Sequence, residues 1–466
     1  MNGPGEGKGM ATARDTFIGI DLGTSALKGV LADAAGRVLR AARRPVAYDR
    51  PAAGRVEADP RAHWRDVTGL IRELAAAAPL PVRALALSGA SGNTLLTDGA
   101  GVPLTPIVNW MDHRCAGRAP RALDGLTPAA VRRVVGWPCI ETFPLAHLAW
   151  LRAHRPGVFG RAARACMNTD WLLFHLTGRW AMDHSTATTF HLQRQVERRW
   201  HRPYLERLGL REDQLSRLTA SGTAVGPLTA AAARATGLTE ETLAVTGAFD
   251  HPSAARAVGV LKPGQLMLSC GTSWVAFLPC ADRDALIDAE LLCDPFLSAA
   301  GGPWGGMFSV PAIGPVIDWY VAHQIAPGEA EPLRVFDARA AEAPPGAGGL
   351  VIDLLAPPRR VDGTPAQIAR AVMESAARAL NERIERLHAR GFAFRRAVMV
   401  GGPGNSPVWP GILAEATGLD LTVGPAHAGA AGAALLAAAG ASHAAGETRE
   451  QEALMRRMHP RDHSNP

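Results

Sequence analysis

The tripeptide Gly-Thr-Ser follows an apolar run at two places in this chain, at residues 23–25 and at residues 271–273. Between two strands, such a turn presents backbone N–H groups and two hydroxyls without bulky side chains. Several donors in one concavity suit the anionic oxygens of a phosphate, although one such turn alone is also ordinary hairpin chemistry. Two copies therefore predict two halves of the protein that each offer a turn to the same polyphosphate.

Other residues near these turns have the chemistry that a phosphate site requires. Asp21 stands just ahead of the first turn, where its carboxylate either holds Mg²⁺, directly or through water, or caps the turn. Lys28 is one of only three lysines in the chain, and it is either a phosphate contact or a solvated strand residue. A glycine cluster at 401–404 either leaves the backbone bare enough to approach a planar base such as adenine or forms a tight loop.

The pattern of apolar residues predicts the strands and helices that would position this chemistry. From residue 17 the chain alternates as in a β-meander, residues 63–78 have helical spacing, and residues 82–90 are typical of a buried strand. The second half has a hairpin around 271–273, a loop-rich region over 301–366, a long helix over 365–391 and an alanine-rich helix at its end. This interleaving favours an α/β fold, and a length of 466 residues favours two domains with a boundary near 250–260.

The composition argues against several classes of function. With 47% hydrophobic and 20% charged residues, the chain has the composition of a soluble globular protein. The formal charge of +6 comes from scattered arginines, without the basic run and interleaved aromatic residues typical of nucleic-acid binding. No apolar run is long enough to span a membrane, the first 15 residues lack the apolar core of a signal peptide, and the six cysteines lack metal-ligand spacing. We therefore expect a cytoplasmic protein with neither membrane nor nucleic-acid partners.

Five ordered blocks of sequence resemble the FGGY family of carbohydrate kinases, within the actin-like ATPase superfamily. The block IGIDLGTSALKGVL is similar to the family's first phosphate motif, and GAFDHPSAARAVGVLKPGQLMLSCGTSWV is similar to its aspartate segment and second phosphate motif. The stretches RAVMESAARAL, VMVGGPGNSPVWPGILAEATG and AGAAGAALLAAAG together resemble its adenosine-binding region. The blocks VNWMDHR and NTDWLLFHLTGRWAMDHSTAT also match family patterns, so the likeness covers roughly residues 16–440.

The resemblance implies an architecture and a reaction. It implies two actin-like (ribonuclease H-like) domains, each a mixed β-sheet flanked by helices, with ATP and substrate in a cleft between them. We place these domains at 16–255 and 256–441, after a disordered leader at 1–15 and before a polar tail at 442–466. The implied reaction is phosphorylation of a hydroxyl on a sugar, ketose or polyol by ATP and Mg²⁺, as in xylulokinase-like members. The individual substrate stays open, and a homodimer is one assembly compatible with the resemblance.

The resemblance also assigns roles to individual residues. Asp250 falls where the family places its general base, although a buried aspartate capping a helix would look the same in sequence, and Asp21 would organise Mg²⁺. The residues expected to contact ATP are Gly23, Thr24, Ser25, Lys28, Gly271, Thr272, Ser273, Gly401, Gly402, Gly404 and Asn405. The residues expected to line the sugar site, together with Asp250, are Ser91, Gly92, Asn93, Trp110 and Asp112. The alternatives for the last two are core packing of Trp110 and an ion pair between Asp112 and Arg114.

Two departures from the family pattern bear on the substrate. The chain has Ala90-Ser91-Gly92 where xylulokinase-like members have Met-His and glycerol-kinase-like members have Arg-Glu, which predicts room for a larger or unusual substrate. The segment after Leu355 is shorter than in most members, and the sequence leaves the effect of this open. Two competing interpretations are an actin-like nucleotide-binding regulator with little or no sugar kinase activity and an ATP-hydrolysing scaffold. A base at Asp250 argues against the regulator, since a nucleotide sensor has no need of one.

Overall fold

The computed structural model describes residues 15–90, 92–116, 124–139, 141–271, 273–310 and 313–445. The predicted leader lies outside these residues except for Asp15, whose carboxylate accepts a hydrogen bond from Arg83 Nη1 at 2.9 Å. The predicted tail lies outside them from residue 446 onward. Within the described ranges, no helix combines the length and the apolar character needed to cross a membrane.

The described residues form strands and helices in alternation along the chain. The strands are β1 (Thr16–Leu22), β2 (Ala26–Asp33), β3 (Val38–Pro45), β4 (Glu57–Ala58), β5 (Val82–Gly89), β6 (Leu95–Thr97), β7 (Ile107–Val108), β8 (Arg164–Cys166), β9 (Ala181–Asp183), β10 (Gln193–Arg194), β11 (Arg199–Trp200), β12 (Arg217–Thr219), β13 (Ala224–Pro227), β14 (Leu243–Phe249), β15 (Gln265–Cys270), β16 (Trp274–Cys280), β17 (Leu292–Asp294), β18 (Trp304–Val310), β19 (Arg396–Gly401) and β20 (Asp420–Val423). The α-helices are α1 (Pro60–Ala76), α2 (Pro128–Val135), α3 (Pro144–His154), α4 (Pro156–Arg161), α5 (Asn168–Thr177), α6 (His184–Phe190), α7 (Arg202–Leu208), α8 (Ala230–Thr236), α9 (Asp250–Ala257), α10 (Arg283–Asp288), α11 (Ile313–Tyr320), α12 (Pro332–Glu342), α13 (Pro365–His388), α14 (Trp409–Thr417) and α15 (Ala428–Ala444).

The chain divides into two compact units. Unit 1 contains the chain up to Gly259, the segment Asp294–Ala300 and the chain from His427 onward. Unit 2 contains Val260–Cys293 and Gly301–Ala426. The α/β class expected from the sequence is confirmed, because each unit is built around its own six-stranded sheet with helices packed on it.

The sheet of unit 1 has the strand order β13-β14-β5-β1-β2-β3. The strands β1, β2 and β3 form the predicted antiparallel meander, whereas β5 and β14 run parallel to β1. In this register Gly89 lies level with both Leu22 and Phe249. The carboxyl ends of β1, β5 and β14 therefore meet at one edge of the sheet, and the residues that follow each strand are brought together there.

The sheet of unit 2 has the order β17-β18-β16-β15-β19-β20. Its strands β15, β16 and β18 are antiparallel neighbours, and β19 and β20 run parallel to β15. Each sheet thus contains an antiparallel meander, and further strands that run parallel to the first strand of the meander lie beside that strand. Each Gly-Thr-Ser lies between the first two strands of the meander of its own unit, which gives the repeated tripeptide equivalent places in the two units.

The alanine-rich helix α15 packs on the sheet of unit 1, whereas the sequence placed residues 256–441 in a second domain. A Cβ on Gly19 of β1 would lie 1.9 Å from the Ala430 carbonyl oxygen, and a Cβ on Gly440 of the helix would lie 2.6 Å from Val245 Cγ1 of β14. Only small residues permit so close an approach of helix and sheet, and the pattern of alanine and glycine carries no sign of which sheet will be covered. The helix also continues to Ala444, beyond the expected start of a polar tail at 442.

The region 301–366, predicted to be loop-rich, contains regular elements. It includes the buried strand β18 and the helices α11 and α12. Gly305 and Gly306 lower the strand propensity of β18, but a Cβ on Gly306 would lie 2.5 Å from Leu286 Cδ2, so close packing requires glycine there. Tertiary contacts therefore decided an element that local sequence did not reveal.

Candidate active site

The first Gly-Thr-Ser forms the tight turn between β1 and β2. A Cβ on Gly23 would lie 2.7 Å from the Ala26 carbonyl oxygen, so the turn closes without room for a side chain. Thr24 Oγ1 accepts a hydrogen bond from Trp110 Nε1 at 3.2 Å, which fixes the threonine and places Trp110 beside the turn. Ser25 is exposed, and its carbonyl accepts a hydrogen bond from the Val46 N–H. The half-buried Trp110 therefore supports the turn rather than lying in the core.

Asp21 lies in β1, two residues before this turn, and is 7% exposed. Its Oδ2 is 3.7 Å from Lys28 Nζ on β2, directly opposite in the register, whereas its Oδ1 is buried without a hydrogen-bond partner among the described residues. Burial raises the pKa of Asp21 to about 7; Lys28 lowers it, and the negative charge of Asp250 raises it further. A Cβ on Gly429, in the first turn of α15, would lie 3.0 Å from the Asp21 carboxylate. The sequence did not single out Gly429 for this contact.

The surroundings of Asp21 fit a hydrated Mg²⁺. This ion usually binds proteins through one or two carboxylates and keeps waters and phosphate oxygens as its other ligands. The buried, unpartnered Oδ1 of Asp21 is such an acceptor, and the Asp250 carboxylate is close enough to raise the pKa of Asp21. Across the described part of the chain, no three histidine, cysteine, aspartate or glutamate side chains are grouped to hold a metal ion. The unpartnered carboxylate oxygen of Asp21 thus suits a metal ion whose other ligands are water and phosphate.

Asp250 is the first residue of α9 and follows β14 at the same edge of the sheet. Its side chain is 23% exposed, and its Oδ1 accepts a hydrogen bond from the His251 N–H at 2.7 Å. The His251 ring nitrogen Nε2 is 3.9 Å from the same oxygen. Asp250 is therefore not the fully buried helix cap that remained open from the sequence, and its carboxylate is accessible at the edge where the Gly23 turn lies.

A narrow cavity lies beside the first turn and contains one of the predicted sugar-site residues, Asn93. Its lining residues are Leu22, Gly23, Thr24, Val46, Tyr48, Ala58, His63, Ala90, Asn93, Ile107, Asn109 and Asn168. The cavity measures about 20 Å³, which holds about one water molecule and is too small for a sugar ring. It therefore accounts for a single hydroxyl or water next to the turn, not for a whole acceptor site.

The polar wall of this cavity is a network of uncharged groups. Asn93 Nδ2 donates to Asn168 Oδ1 at 2.8 Å, and Asn93 Oδ1 accepts from the Asn168 N–H at 2.8 Å. Asn168 Nδ2 lies 3.2 Å from His63 Nε2, and burial lowers the pKa of His63 to about 4, so this imidazole is neutral at pH 7. His63 and Asn168 were not predicted as site residues, although Asn168 opens the block NTDWLLFHLTG that matches a family pattern.

Two other residues predicted for the sugar site lie in the loop after β5. Ser91 lies outside the described residues. Gly92 is buried with φ +90°, a conformation that favours glycine, and a Cβ there would lie 2.6 Å from Phe143 Cε1. The space directly beside Gly92 is therefore occupied by the ring of Phe143.

Asp112, also predicted for the sugar site, is fully buried in an ion pair. Its Oδ1 accepts from Arg114 Nε at 2.7 Å and from the Arg114 N–H at 2.9 Å, and its Oδ2 accepts from Arg114 Nη2 and from the Val56 N–H, both at 2.7 Å. Burial opposes ionisation, but these hydrogen bonds outweigh it and lower the pKa of Asp112. Four bonds use the acceptor sites of the carboxylate, so Asp112 has none left for a substrate hydroxyl. The geometry supports the alternative of a structural pair with Arg114.

Replacing Asp112 by asparagine is expected to lower stability and to leave turnover unchanged. The change leaves Arg114 Nη2 with only Glu57 as a charged partner, and breaking a buried ion pair costs about 3–5 kcal/mol. The measurements are the melting temperature and the specific activity of the folded fraction. Glu331→Gln, which removes an exposed pair with Arg334, is the control and should change neither. A large rise in KM for the acceptor with unchanged stability would restore Asp112 to the sugar site.

In unit 2 the second Gly-Thr-Ser and the glycine cluster lie side by side at one edge of the sheet. The turn joins Cys270 to Trp274, with the Gly271 N–H donating to the Ser273 carbonyl at 3.3 Å; Thr272 lies outside the described residues. Gly401 ends β19 opposite Cys270, has φ +104°, and would place a Cβ 2.1 Å from the Cys270 carbonyl oxygen.

The rest of the glycine cluster continues from that strand end. Gly402 through Asn405 form a short 3₁₀ helix, and a Cβ on Gly402 would meet nothing within 4 Å. Asn405 is exposed. Of the residues predicted to contact nucleotide in unit 2, the described ones are thus grouped around an accessible, side-chain-poor strip of backbone.

Comparison with known proteins decides the family. The model for the N-terminal domain of the FGGY family of carbohydrate kinases matches residues 16–257, and the model for the C-terminal domain matches residues 266–441. This chain belongs to the FGGY family of carbohydrate kinases. The resemblance noted in the sequence blocks is confirmed, and the chain is a carbohydrate kinase. The family's C-terminal domain includes most of α15, whereas in the structure this helix packs on the sheet of unit 1.

Individual FGGY kinases are similar along nearly the whole chain. The xylulose kinase of Escherichia coli (strain K12) is 28% identical over 441 residues, which cover 90% of this chain and 89% of that protein. The autoinducer-2 kinase of Salmonella typhimurium (strain LT2) is 26% identical over 453 residues, covering 87% and 82%. The crystal structure of xylulose kinase from Rhodospirillum rubrum matches with a TM-score of 0.80 at 25% identity, covering 94% of this chain and 92% of that one. The two-domain actin-like architecture is therefore confirmed.

Proposed function

We propose that this FGGY kinase phosphorylates a hydroxyl of an uncharged ketose or polyol, with Mg²⁺-bound ATP as the phosphate donor and Asp250 as the base. The observation that carries the proposal is the grouping of Asp250, Asp21 and the Gly23 turn at one edge of the sheet of unit 1. An accessible carboxylate next to a buried one suits two different tasks, which are proton removal and metal binding.

The proposed roles follow from the charge and exposure of each group. Phosphoryl transfer depends mainly on positioning and on neutralising phosphate charge. Asp250, with 23% of its side chain exposed, accepts the proton of the acceptor hydroxyl. Asp21 holds Mg²⁺ through its unpartnered Oδ1, and the ion, when bound, supplies positive charge to the phosphates. Lys28 and the N–H groups of the Gly23 turn contact phosphate oxygens.

Unit 2 is proposed to bind the nucleotide. The turn at Gly271 and Ser273 offers the Ser273 hydroxyl to phosphate, and the bare backbone at Gly401, Gly402 and Gly404 accepts the adenine face. Asn405 is exposed beside this strip and supplies an amide for hydrogen bonding. Alanine at Gly401 would collide with the Cys270 carbonyl, so the close approach of these two strand ends requires glycine there.

The uncharged wall beside the first turn supports a neutral acceptor. Among the residues that line the cavity, all of them described, the polar side chains are amides, hydroxyls and a neutral imidazole, without arginine or lysine. The negative charge of Asp112 is neutralised by its ion pair with Arg114. The group of the acceptor that reaches this one-water cavity is therefore a neutral one such as a hydroxyl, which amides and hydroxyls bind, rather than a phosphate or carboxylate, which would require a cation. Xylulose, the acceptor of two similar proteins, is a neutral ketose of this type.

The test is ADP release from ATP and Mg²⁺ across a panel of ketoses, polyols, cyclitols and sugar acids. We expect one neutral ketose or polyol to stimulate ADP release well above the rate without acceptor. Asp250→Ala, assayed with that compound, is the matched control and should remove the stimulation. Stimulation by a sugar acid alone would contradict the neutral acceptor, and hydrolysis that no acceptor stimulates would contradict the proposed reaction.

A further inference from the structure

The backbone just before Asp250 is held by a side chain from another helix. The pairing of β14 with β5 is irregular just before the Phe249 N–H, because its register shifts between Thr246 and Phe249. The Phe249 N–H donates to Ser185 Oγ at 3.1 Å, in the first turn of α6. Ser185 is 1% exposed, so its hydroxyl has no access to bulk water. One buried hydroxyl therefore fixes the peptide group that precedes the proposed base.

Ser185 is in turn held by the segment Asp294–Ala300, which belongs to unit 1. Ser185 Oγ donates to Asp294 Oδ2 at 2.6 Å, and Asp294 Oδ1 accepts from the Phe296 N–H at 2.7 Å. Asp294 is 1% exposed, and Phe296 has φ +39°, which is uncommon for a residue with a side chain. The serine hydroxyl therefore has a defined donor direction, toward Asp294, and a defined acceptor direction, toward Phe249.

Arg256 ties the same segment to the backbone after Asp250. Arg256 Nη2 donates to the Phe296 carbonyl at 2.9 Å, and Nη1 donates to the Pro252 carbonyl at 3.0 Å. Its guanidinium carbon lies 4.5 Å from the centre of the Phe296 ring, and the residue is 0% exposed. The contacts thus run from Phe249 through Ser185 and Asp294 to Phe296, and from there through Arg256 to Pro252, so that they hold Asp250 on both sides. We call this set of contacts the clamp.

Burying the charged groups of Asp294 and Arg256 in the clamp costs the folded state free energy. Burial raises the pKa of Asp294 to about 6 and lowers the pKa of Arg256 to about 10, which marks both as charges held away from water. Well-packed apolar residues in place of buried charged groups are often equally or more stable. The directed hydrogen bonds of Ser185, Asp294 and Arg256 do, however, favour one geometry, although Arg256 Nε has no hydrogen-bond partner among the described residues. Positions next to a reacting group are where such precision changes a rate.

We propose that Ser185 is a positioning residue for phosphoryl transfer, which through the clamp sets where the Asp250 carboxylate stands relative to the acceptor hydroxyl. This inference rests on the proposed function, in which Asp250 is the base. Ser185 itself touches neither reacting atom in this scheme. Its loss should therefore lower kcat for sugar phosphorylation without changing KM for ATP.

The test compares Ser185→Ala with Ser185→Thr, which keeps the hydroxyl, and with Thr189→Val on the same helix. Thr189 Oγ1 donates within its own helix, to the Thr186 carbonyl at 2.8 Å, so its removal perturbs α6 without touching Phe249. We expect kcat to fall about tenfold or more in Ser185→Ala, since small misplacements near the chemistry are costly. Ser185→Thr should recover most of that loss, and Thr189→Val should stay within about twofold of the unmodified protein. Amide hydrogen exchange at Phe249 should accelerate in Ser185→Ala alone.

The possible outcomes separate the inference from the proposed function. If Ser185→Ala and Thr189→Val have the same kcat, or if Ser185→Thr is as slow as Ser185→Ala, the positioning role is wrong while the base assignment stands. Asp250→Ala is measured in parallel. If that variant keeps its sugar-dependent turnover, the proposed base is wrong and the positioning role falls with it. A kcat loss in Ser185→Ala, recovered by threonine and with unchanged KM for ATP, supports both.

Discussion

Asp250→Ala is expected to lower kcat for sugar phosphorylation by about 10²–10⁴-fold, the range typical of a lost general base. The fold should tolerate the change, because the side chain is 23% exposed and its only hydrogen bond to the described residues is from the His251 N–H. KM for ATP should stay within a few-fold, since the nucleotide contacts are assigned to other residues. The measurements are steady-state ADP release at saturating acceptor and the melting temperature.

The neighbouring His251 offers a matched control for that experiment. Its ring lies 3.9 Å from the Asp250 carboxylate and is 19% exposed, so it shares the environment of the base without taking its role. His251→Ala should lower kcat by less than about tenfold, since it removes only a neighbour of the base. If the histidine variant proved the slower of the two, the roles of these residues would have to be exchanged.

Asp21→Asn is expected to abolish most activity and at the same time to stabilise the metal-free protein. The folded pKa of about 7 lies above the unfolded value of 3.8. As pH rises, the unfolded chain therefore loses this proton first, and the folded state is destabilised progressively between about pH 4 and pH 7. Above pH 7 the penalty is complete, with an upper bound of about 4 kcal/mol. Asparagine cannot ionise, so the penalty disappears with the charge.

Three measurements, one without Mg²⁺ and two with it, check this prediction. In chelator, the melting temperature of Asp21→Asn should exceed that of the unmodified protein by more at pH 8 than at pH 5. With Mg²⁺ and ATP, kcat/KM should fall about 100-fold or more, because the buried carboxylate is the proposed metal ligand. In the unmodified protein, apparent Mg²⁺ affinity should rise between pH 6 and pH 8, since the proton and the metal compete for one oxygen. A variant with lower stability at pH 8 would show that the pair with Lys28 outweighs the cost of burial.

The tests on Asp21 and Asp250 concern two carboxylates that lie in different environments. Both lie at the same sheet edge, but one is 7% exposed as a whole residue and the other has 23% of its side chain exposed. Burial raises the pKa of Asp21 to about 7. A group that must bind a cation gains from being buried and unpartnered, whereas a base must be reached by its substrate. The same residue type thus serves two tasks because the fold exposes the two side chains differently.

The sequence by itself determined the class of protein, the repeated turns and the residues at the strand ends. Gly23, Gly271 and Gly401 were recognisable from the motifs that contain them, and a Cβ would lie only 2.7 Å from a backbone oxygen at Gly23 and 2.1 Å from one at Gly401. Asp21 and Asp250 were recognisable from the motifs around them, and parallel strands bring such residues to one edge. Periodicity and motifs are local properties of a chain, so they can be recognised without knowledge of the fold.

Tertiary structure alone decided which side chains are free to act. Asp112 looked like a sugar ligand in sequence, but Arg114 and the Val56 N–H occupy its oxygens. The helix α15 looked like the end of a second domain, but its small residues pack on the sheet of unit 1, and Gly429 meets Asp21 there. Ser185 lies in a block that matches a family pattern, but its proposed role depends on Phe249 and Asp294, which lie on either side of its hydroxyl. Partners 64 and 109 positions away along the chain leave no local signature, because hydrogen bonds depend on distance in space and not on separation in sequence.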